Sequence, residues 1–386
     1  MAFEMPDSIQ PGDYVGLKRI LGWDSMEGMD ISKELKDFKA RIDPHIVAYF
    51  DSAIAEARKE DDLVVEALLA AKELALAGGK RLRPAFMYHG YLASGGDDEE
   101  KILKTSVAVE LLHLFLLVHD DIIDRDDTRH GLPTLHRKYA EIGRKHFPIE
   151  NTDHFGVSIA IIMGDMLMAF GNDIIFRSDF PQDRIFRALS KLQRVVSYTV
   201  IGQGRDIYME YKKQASEEEI LRMYRNKTAR YTVDGPIQLG AALAGSTDDE
   251  IGRWSEYAIP VGVAFQIRDD ILGIFGTEAK LGKPVGSDIE EGKLTLLVSA
   301  ALKKGSSAEQ KELRRILSLG TALAGSDVDR FRNIIRETGS LAYAENKMRE
   351  LVDQGREALS RMKDGSDKDS REFFLAVADY LAEREY

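Results

Sequence analysis

The chain has 386 residues, 44% hydrophobic and 31% charged, with no cysteine and a formal net charge of -12. That apolar content excludes wholesale disorder, and the lack of cysteine excludes disulfides, thiolate metal sites and a cysteine nucleophile. The excess of 65 Asp and Glu over 53 Lys and Arg argues against a general nucleic-acid-binding surface and, at first sight, against an anionic substrate.

The opening stretch, MAFEMPDSIQPGDYVG, has no basic run followed by an apolar core, so no secretory signal is expected. Residues 1–30 read as an extension ahead of one domain spanning 31–386. Apolar residues then recur at three- and four-residue intervals over 31–58, 62–77, 100–124, 155–176, 183–211, 216–244 and 249–272. Gly78-Gly79, Ser94-Gly95-Gly96, Gly131-Leu132-Pro133, Pro181, Gly245-Ser246 and Gly282-Lys283-Pro284 separate these segments. Alternating strand-like runs are scarce. The expectation is an all-α protein, one large single-domain helical bundle. The most apolar segment, 155–170, is interrupted by Asp165 and reads as a buried helix of a soluble cytoplasmic protein with no transmembrane segment.

Adjacent aspartates occur six times, and the position of each pair decides its meaning. Pairs 61–62, 97–98 and 248–249 stand among polar residues at segment starts, where a helix cap explains them. Asp120-Asp121 instead ends the apolar run Leu111 to His119, with Asp124 one turn after Asp120 on the same face. Asp269-Asp270 likewise ends an apolar run, Val261 to Arg268. Like charges crowded on apolar helices need cations, and hard divalent ions such as magnesium favour carboxylate oxygens shared with phosphates. The two clusters read as two walls of one metal-lined cavity; a basic partner helix for each is the structural alternative. Gly78-Gly79-Lys80-Arg81-Leu82-Arg83-Pro84 adds three cations suited to clamping phosphate oxygens.

Taken together, these motifs resemble the trans-isoprenyl diphosphate synthases, or polyprenyl synthetases, in consistent order from about Ala70 to Thr295. GGKRLRP resembles their isopentenyl diphosphate loop, with Lys80 and Arg83; ELLH at 110–113 resembles the segment whose histidine, here His113, contacts the same diphosphate. HDDIIDRDDTRHG at 119–131 resembles the first aspartate-rich motif, and FQIRDDILG at 265–273 the second. GD at 164–165, GQGRD at 202–206, KTARY at 227–231 and GKPVGSDIEEGKLT at 282–295 match later motifs.

The resemblance implies an isoprenoid-synthase bundle around a central cavity, a homodimer, and head-to-tail transfer of an allylic group onto isopentenyl diphosphate. Asp120, Asp121, Asp124, Asp269 and Asp270 would hold magnesium, three ions per site with substrate bound. Arg129, Lys227 and Lys293 would neutralise the leaving diphosphate, with Lys283 nearby if the fold brings it in. Thr228 and Gln266 would turn oxygen dipoles towards the carbocation. Three departures stand out. His130 follows Arg129 where the family has a second arginine, which points to a weaker or pH-sensitive grip on isopentenyl diphosphate. Gly273 replaces a third aspartate, and the tail Glu383-Arg384-Glu385-Tyr386 is not basic.

Phe115 lies five residues before Asp120, where bulk in this family forms the floor that stops the growing chain. With Leu112 and Leu116 on the same wall, it implies a short product, C20 with C15 as the nearest alternative. Three rival readings are weighed. A class I terpene cyclase has no use for the GGKRLRP loop. A di-iron protein needs a second partner for Glu110-x-x-His113. An inactive regulatory subunit of a prenyl synthase would be expected to lose aspartates that are present here.

Overall fold

The structure, a computed structural model, describes residues 29–148, 150–276, 286–362 and 367–383. In chain order its helices are α1 (Ile31–Ala57), α2 (Asp62–Leu76), α3 (Leu82–Ala93), α4 (Glu99–Asp124), α5 (Leu135–His146), α6 (Thr152–Phe176) and α7 (Gln182–Lys212). Then come α8 (Glu217–Tyr224), a π-helix (Arg225–Asp234), α9 (Gly235–Ala244), α10 (Asp248–Phe275), α11 (Ser287–Glu290) and α12 (Leu296–Lys304). The bundle closes with α13 (Ser307–Ile316), α14 (Gly325–Glu337), α15 (Ser340–Arg361) and α16 (Lys368–Glu383). The expected all-α bundle is therefore the fold. Residues 1–28 of the expected extension, Lys283, and Arg384 to Tyr386 lie outside the described residues.

Helix starts follow local chemistry. Asp61 accepts the Leu63 N–H at 2.7 Å, and Asp98 accepts that of Lys101 at 3.0 Å. Asp248 and Asp249 fill the first turn of α10 behind a Thr247–Glu250 capping box, where their charge suits the helix dipole. Those three aspartate pairs are structural.

Two differences from the sequence reading bear on the site. The segment 216–244 is not one regular α-helix, because its middle ten residues are wound as a π-helix. And a small hairpin follows the first acidic cluster, Thr128–Arg129 pairing antiparallel with Leu132–Pro133. His130 (φ 51°) and Gly131 (φ 77°) form its two-residue turn; both angles are positive, as a type I′ turn requires.

Helices α4 and α10 are buried around most of their circumference and form the centre. α4 packs on α6 and α3, and α10 on α15 and the π-helix. Both α4 and α6 are long and apolar enough to cross a membrane by length and composition. α4 is largely covered by its neighbours. α6 packs on α4 and α5 and leaves Ile161, Ile162 and Phe176 exposed; only 33% of its most apolar stretch is buried, so the expected burial of 155–170 holds for a minority of its residues.

Candidate active site

The C-terminal ends of α4 and α10 deliver their aspartates to one polar cluster, joined by lysines from two other elements. Lys293, in the loop before α12, donates to Asp124 Oδ2 at 3.3 Å and Asp288 Oδ1 at 3.5 Å, and pairs with Glu291. Lys227, on the π-helix, donates to Asp206 Oδ2 of α7 at 2.6 Å. Burial opposes the charge of both lysines, but Asp206 beside Lys227, and Asp288 and Asp124 beside Lys293, outweigh it and hold both above their ordinary values. Asp120 also lies within the electrostatic reach of Lys227.

Each of the two aspartate pairs has one member tucked into protein. Asp121 is buried and takes Arg129 Nε at 2.6 Å, while its second oxygen has no hydrogen-bond partner. Burial pushes its carboxyl up to about 6 against the pull of Arg129. Asp270 accepts from Gln266 Nε2 at 2.8 Å and from the Tyr224 hydroxyl, and burial raises it to about 7. The chain of bonds continues at both ends. Thr228 donates to Gln266 Oε1 at 2.5 Å, and Tyr224 accepts the Leu296 N–H at 2.8 Å. Thr228 thus has its hydrogen committed to Gln266.

The π-helix that carries Lys227 and Thr228 is pressed from two sides. A β-carbon on Gly202 would stand 2.3 Å from Lys227 N, and one on Gly262 would stand 2.6 Å from Ala229 Cα. Only glycine permits these approaches, so GQGRD fixes where Lys227 sits. π-Turns are rare and concentrate at functional sites.

The three cations of GGKRLRP separate into two kinds. Arg81 is buried and neutralised, donating to Asp43 Oδ1 at 2.7 Å, Glu110 Oε1 at 2.6 Å and the Ala75 carbonyl at 2.8 Å. Glu110 is therefore consumed by Arg81, which removes the di-iron alternative for Glu110 and His113. Lys80 and Arg83 each lie on a tyrosine: Lys80 is 4.9 Å from the Tyr380 ring centre, and Arg83 4.5 Å from that of Tyr231. His113 sits near Arg83 and Arg129 with a buried, unpartnered Nδ1, and burial and those two arginines hold it well below its ordinary value, neutral. His130 is lowered by burial, Arg129 and Arg81, and its ring covers Gly78.

Beyond the cations an apolar cavity runs down α4. Leu112, Phe115 and Leu116 line it together, facing Leu192 and Val196 of α7 and Tyr231. The Phe115 ring is braced edge-on by His119, with centroids 5.0 Å apart.

The sequence matches the polyprenyl synthetase family over residues 66–336. The chain belongs to that family. It is 32% identical to a geranylgeranyl diphosphate synthase of Methanosarcina mazei over 93% of this chain and 99% of that one. It is 33% identical to a geranylfarnesyl diphosphate synthase of Aeropyrum pernix over 82% and 93%. The fold superposes on a geranylgeranyl pyrophosphate synthase of Corynebacterium glutamicum, complexed with isoprenyl diphosphate and magnesium, with a TM-score of 0.84 at 31% identity, covering 91% of this chain and 99% of that one.

Sequence reasoning passed over Asp206, Asp288, Glu291, Tyr224, Tyr231 and Tyr380. Asp206, Tyr231, Asp288 and Glu291 lie inside the matched motifs, and Tyr380 lies in the closing Asp379-Tyr380-Leu381, which also resembles the family, so all five are legible as parts of motifs. Tyr224 carries no local signal. The donor set fits a hard divalent ion: carboxylate oxygens throughout, with Asp120 and Asp124 one turn apart on α4. Among the described residues no three acidic or histidine side chains form a cage by themselves. Magnesium characteristically completes such incomplete protein sets with water and phosphate oxygens.

Proposed function

We propose that the chain is a magnesium-dependent head-to-tail prenyltransferase that joins isopentenyl diphosphate to allylic diphosphates and releases a C20 product. The reading rests on one observation above the others: α4 carries both the lysine-paired acidic cluster at its end and the wall Leu112, Phe115 and Leu116 of an apolar cavity, and Tyr231, beneath Arg83 of the basic loop, lines that same cavity. Asp120, Asp124 and Asp269 are the residues for magnesium; Asp121 and Asp270 support them through Arg129, and through Gln266 and Tyr224. Magnesium, when bound, neutralises the diphosphate as its bond to carbon breaks. Lys227, Lys293 and Arg129 add fixed positive charge there, already oriented by their acidic partners.

The C–O bond of the allylic diphosphate breaks with its electron pair going to the diphosphate. The double bond of isopentenyl diphosphate, held by Lys80, Arg83 and His113, then attacks the carbocation, and a proton passes to the released pyrophosphate. Thr228 turns its oxygen to the cation, and the apolar walls exclude water. The chain grows towards Phe115, whose ring ends the cavity.

A homodimer completes the reading. α6 and α7 touch each other and expose Ile161, Ile162 and Phe176 on one, Phe186, Val200 and Ile201 on the other. Exposed apolar residues on two touching helices fit a second copy of a soluble, cytoplasmic enzyme. Light scattering should give twice the chain mass, and Ile201→Glu should halve it; a wild-type monomer at micromolar concentration contradicts the dimer.

The deciding experiment supplies magnesium, isopentenyl diphosphate and, in turn, dimethylallyl, geranyl and farnesyl diphosphates, with chromatographic sizing of the products. A C20 product is expected. No pyrophosphate release with any primer would favour an inactive regulatory subunit.

A further inference from the structure

Tyr231 stands at the junction of the two halves of the site and has no role in the mechanism above. Its hydroxyl accepts a hydrogen bond from Arg83 Nη2 at 2.7 Å, and its ring lies beneath the same guanidinium, 4.5 Å from centre to carbon. Thr232 Oγ1 takes a second bond from Arg83 at 3.1 Å. Among the described residues Arg83 makes no ion pair, and its Nε is buried without a partner. The contrast with Arg81, neutralised by two carboxylates two residues away, is informative. A tyrosine orients a guanidinium by hydrogen bond and cation–π contact without cancelling its charge. The Tyr231 ring also lines the apolar cavity with Leu112, Phe115 and Leu116, and stands 6.1 Å from the His113 ring.

We propose that Tyr231 is a positioning and specificity residue: its hydroxyl sets Arg83 for the diphosphate of isopentenyl diphosphate, while its ring forms the upper wall of the product cavity. This rests on the prenyltransferase reading and adds to it a physical link between the diphosphate grip and the space for the growing chain. The two functions belong to different parts of one side chain, so they can be separated. Removing the oxygen loosens Arg83 and keeps the wall. Removing the ring loosens both.

The test compares wild type, Tyr231→Phe and Tyr231→Leu as full-length chains, varying isopentenyl diphosphate and the allylic primer separately and sizing the products. Tyr231→Phe should raise KM for isopentenyl diphosphate about tenfold, the weight of one hydrogen bond to a charged group. Its KM for the primer and its product length should match wild type. Tyr231→Leu should share the raised KM and add longer products, with Tyr231→Met standing in if the leucine variant is insoluble. An unchanged KM in Tyr231→Phe, or equal rises for both substrates, overturns the positioning role; unchanged product length in the leucine or methionine variant overturns the wall. If wild type forms no prenyl product, the prenyltransferase reading fails, and calorimetric titration of isopentenyl diphosphate into wild type and Tyr231→Phe still decides the positioning role: equal affinities overturn it.

Discussion

The carboxylate of Asp288 lies over Gly273, so close that a β-carbon on the glycine would stand 2.5 Å from Asp288 Oδ2. The backbone joins the same two segments, Gly286 N–H reaching the Gly273 carbonyl at 3.4 Å. The second acidic cluster therefore lacks a third aspartate on α10 and gains a carboxylate from α11. Gly273→Ala would displace the far end of a short side chain and leave the backbone in place. The expected result is an unchanged melting temperature with a rise in the magnesium concentration needed for half-maximal rate. A collapse in stability with an unaltered magnesium requirement would show that the space serves packing alone.

Arg81 and Arg83 should fail in opposite ways. Arg81→Ala leaves Asp43 and Glu110 with a vacated buried site, the situation that costs about 3–5 kcal/mol. Its denaturation midpoint should fall sharply. Arg83→Ala removes no carboxylate's partner, so stability should stay within about 1 kcal/mol while KM for isopentenyl diphosphate rises. Chemical denaturation and steady-state kinetics on both variants decide this; a stable Arg81→Ala would contradict the structural role assigned to Arg81.

Acid should destabilise the fold through His89. Its ring is stacked on Phe373 (3.9 Å between centroids) and bonded to Ser370 at 2.9 Å, pinning α16 to α3. Burial, with Arg41 adding to it, pushes His89 down to about 3 from its ordinary 6.5; Glu34, 4.0 Å away, does not reverse this. The folded-state value is depressed, so the neutral ring contributes fully above pH 6.5. That contribution is lost as pH falls towards 3, at about 1.4 kcal/mol per unit. Neutral, buried His113 adds a slope of the same sign. His89→Gln keeps a partner for Ser370 and should flatten the stability curve between pH 6 and 4 by about one proton's worth. An identical slope in that variant would remove His89 as the cause.

Much of this was readable from the chain because the informative helices are uniformly apolar. The runs 100–124 and 249–272 predict α4 and α10 to within a few residues, and acids at the ends of such runs are conspicuous. Which aspartate of each pair is buried was not readable. Adjacent residues point about 100° apart on a helix, so the rotational setting that turns Asp121 and Asp270 inward depends on packing against Arg129 and Tyr224. The π-winding of 225–234 was equally hidden, since it is fixed by Gly202 and Gly262 pressing on it from distant helices. The hairpin turn was half visible: Gly131 signalled a break, but the left-handed His130 did not. The acidic balance that first seemed hostile to anions places part of its charge against Lys227 and Lys293, in the cluster proposed to take magnesium and the diphosphate.

Product length gives the sharpest test of the cavity. Phe115 lines it from α4, 6% exposed and braced by His119, with Leu112 and Leu116 on the same wall. Phe115→Ala removes that floor and should lengthen the products beyond C20. The same change costs about 3–5 kcal/mol if the space stays empty, so lower stability is expected alongside. Phe115→Leu separates the effects: about the same hydrophobic filling, less reach across the cavity, and therefore a smaller stability loss with an intermediate shift in chain length. Product chromatography and thermal melts on the two variants check the pair. Longer chains that scale with lost volume place the stop at Phe115; an unchanged product profile in Phe115→Ala moves the stop to the Tyr231 end of the cavity.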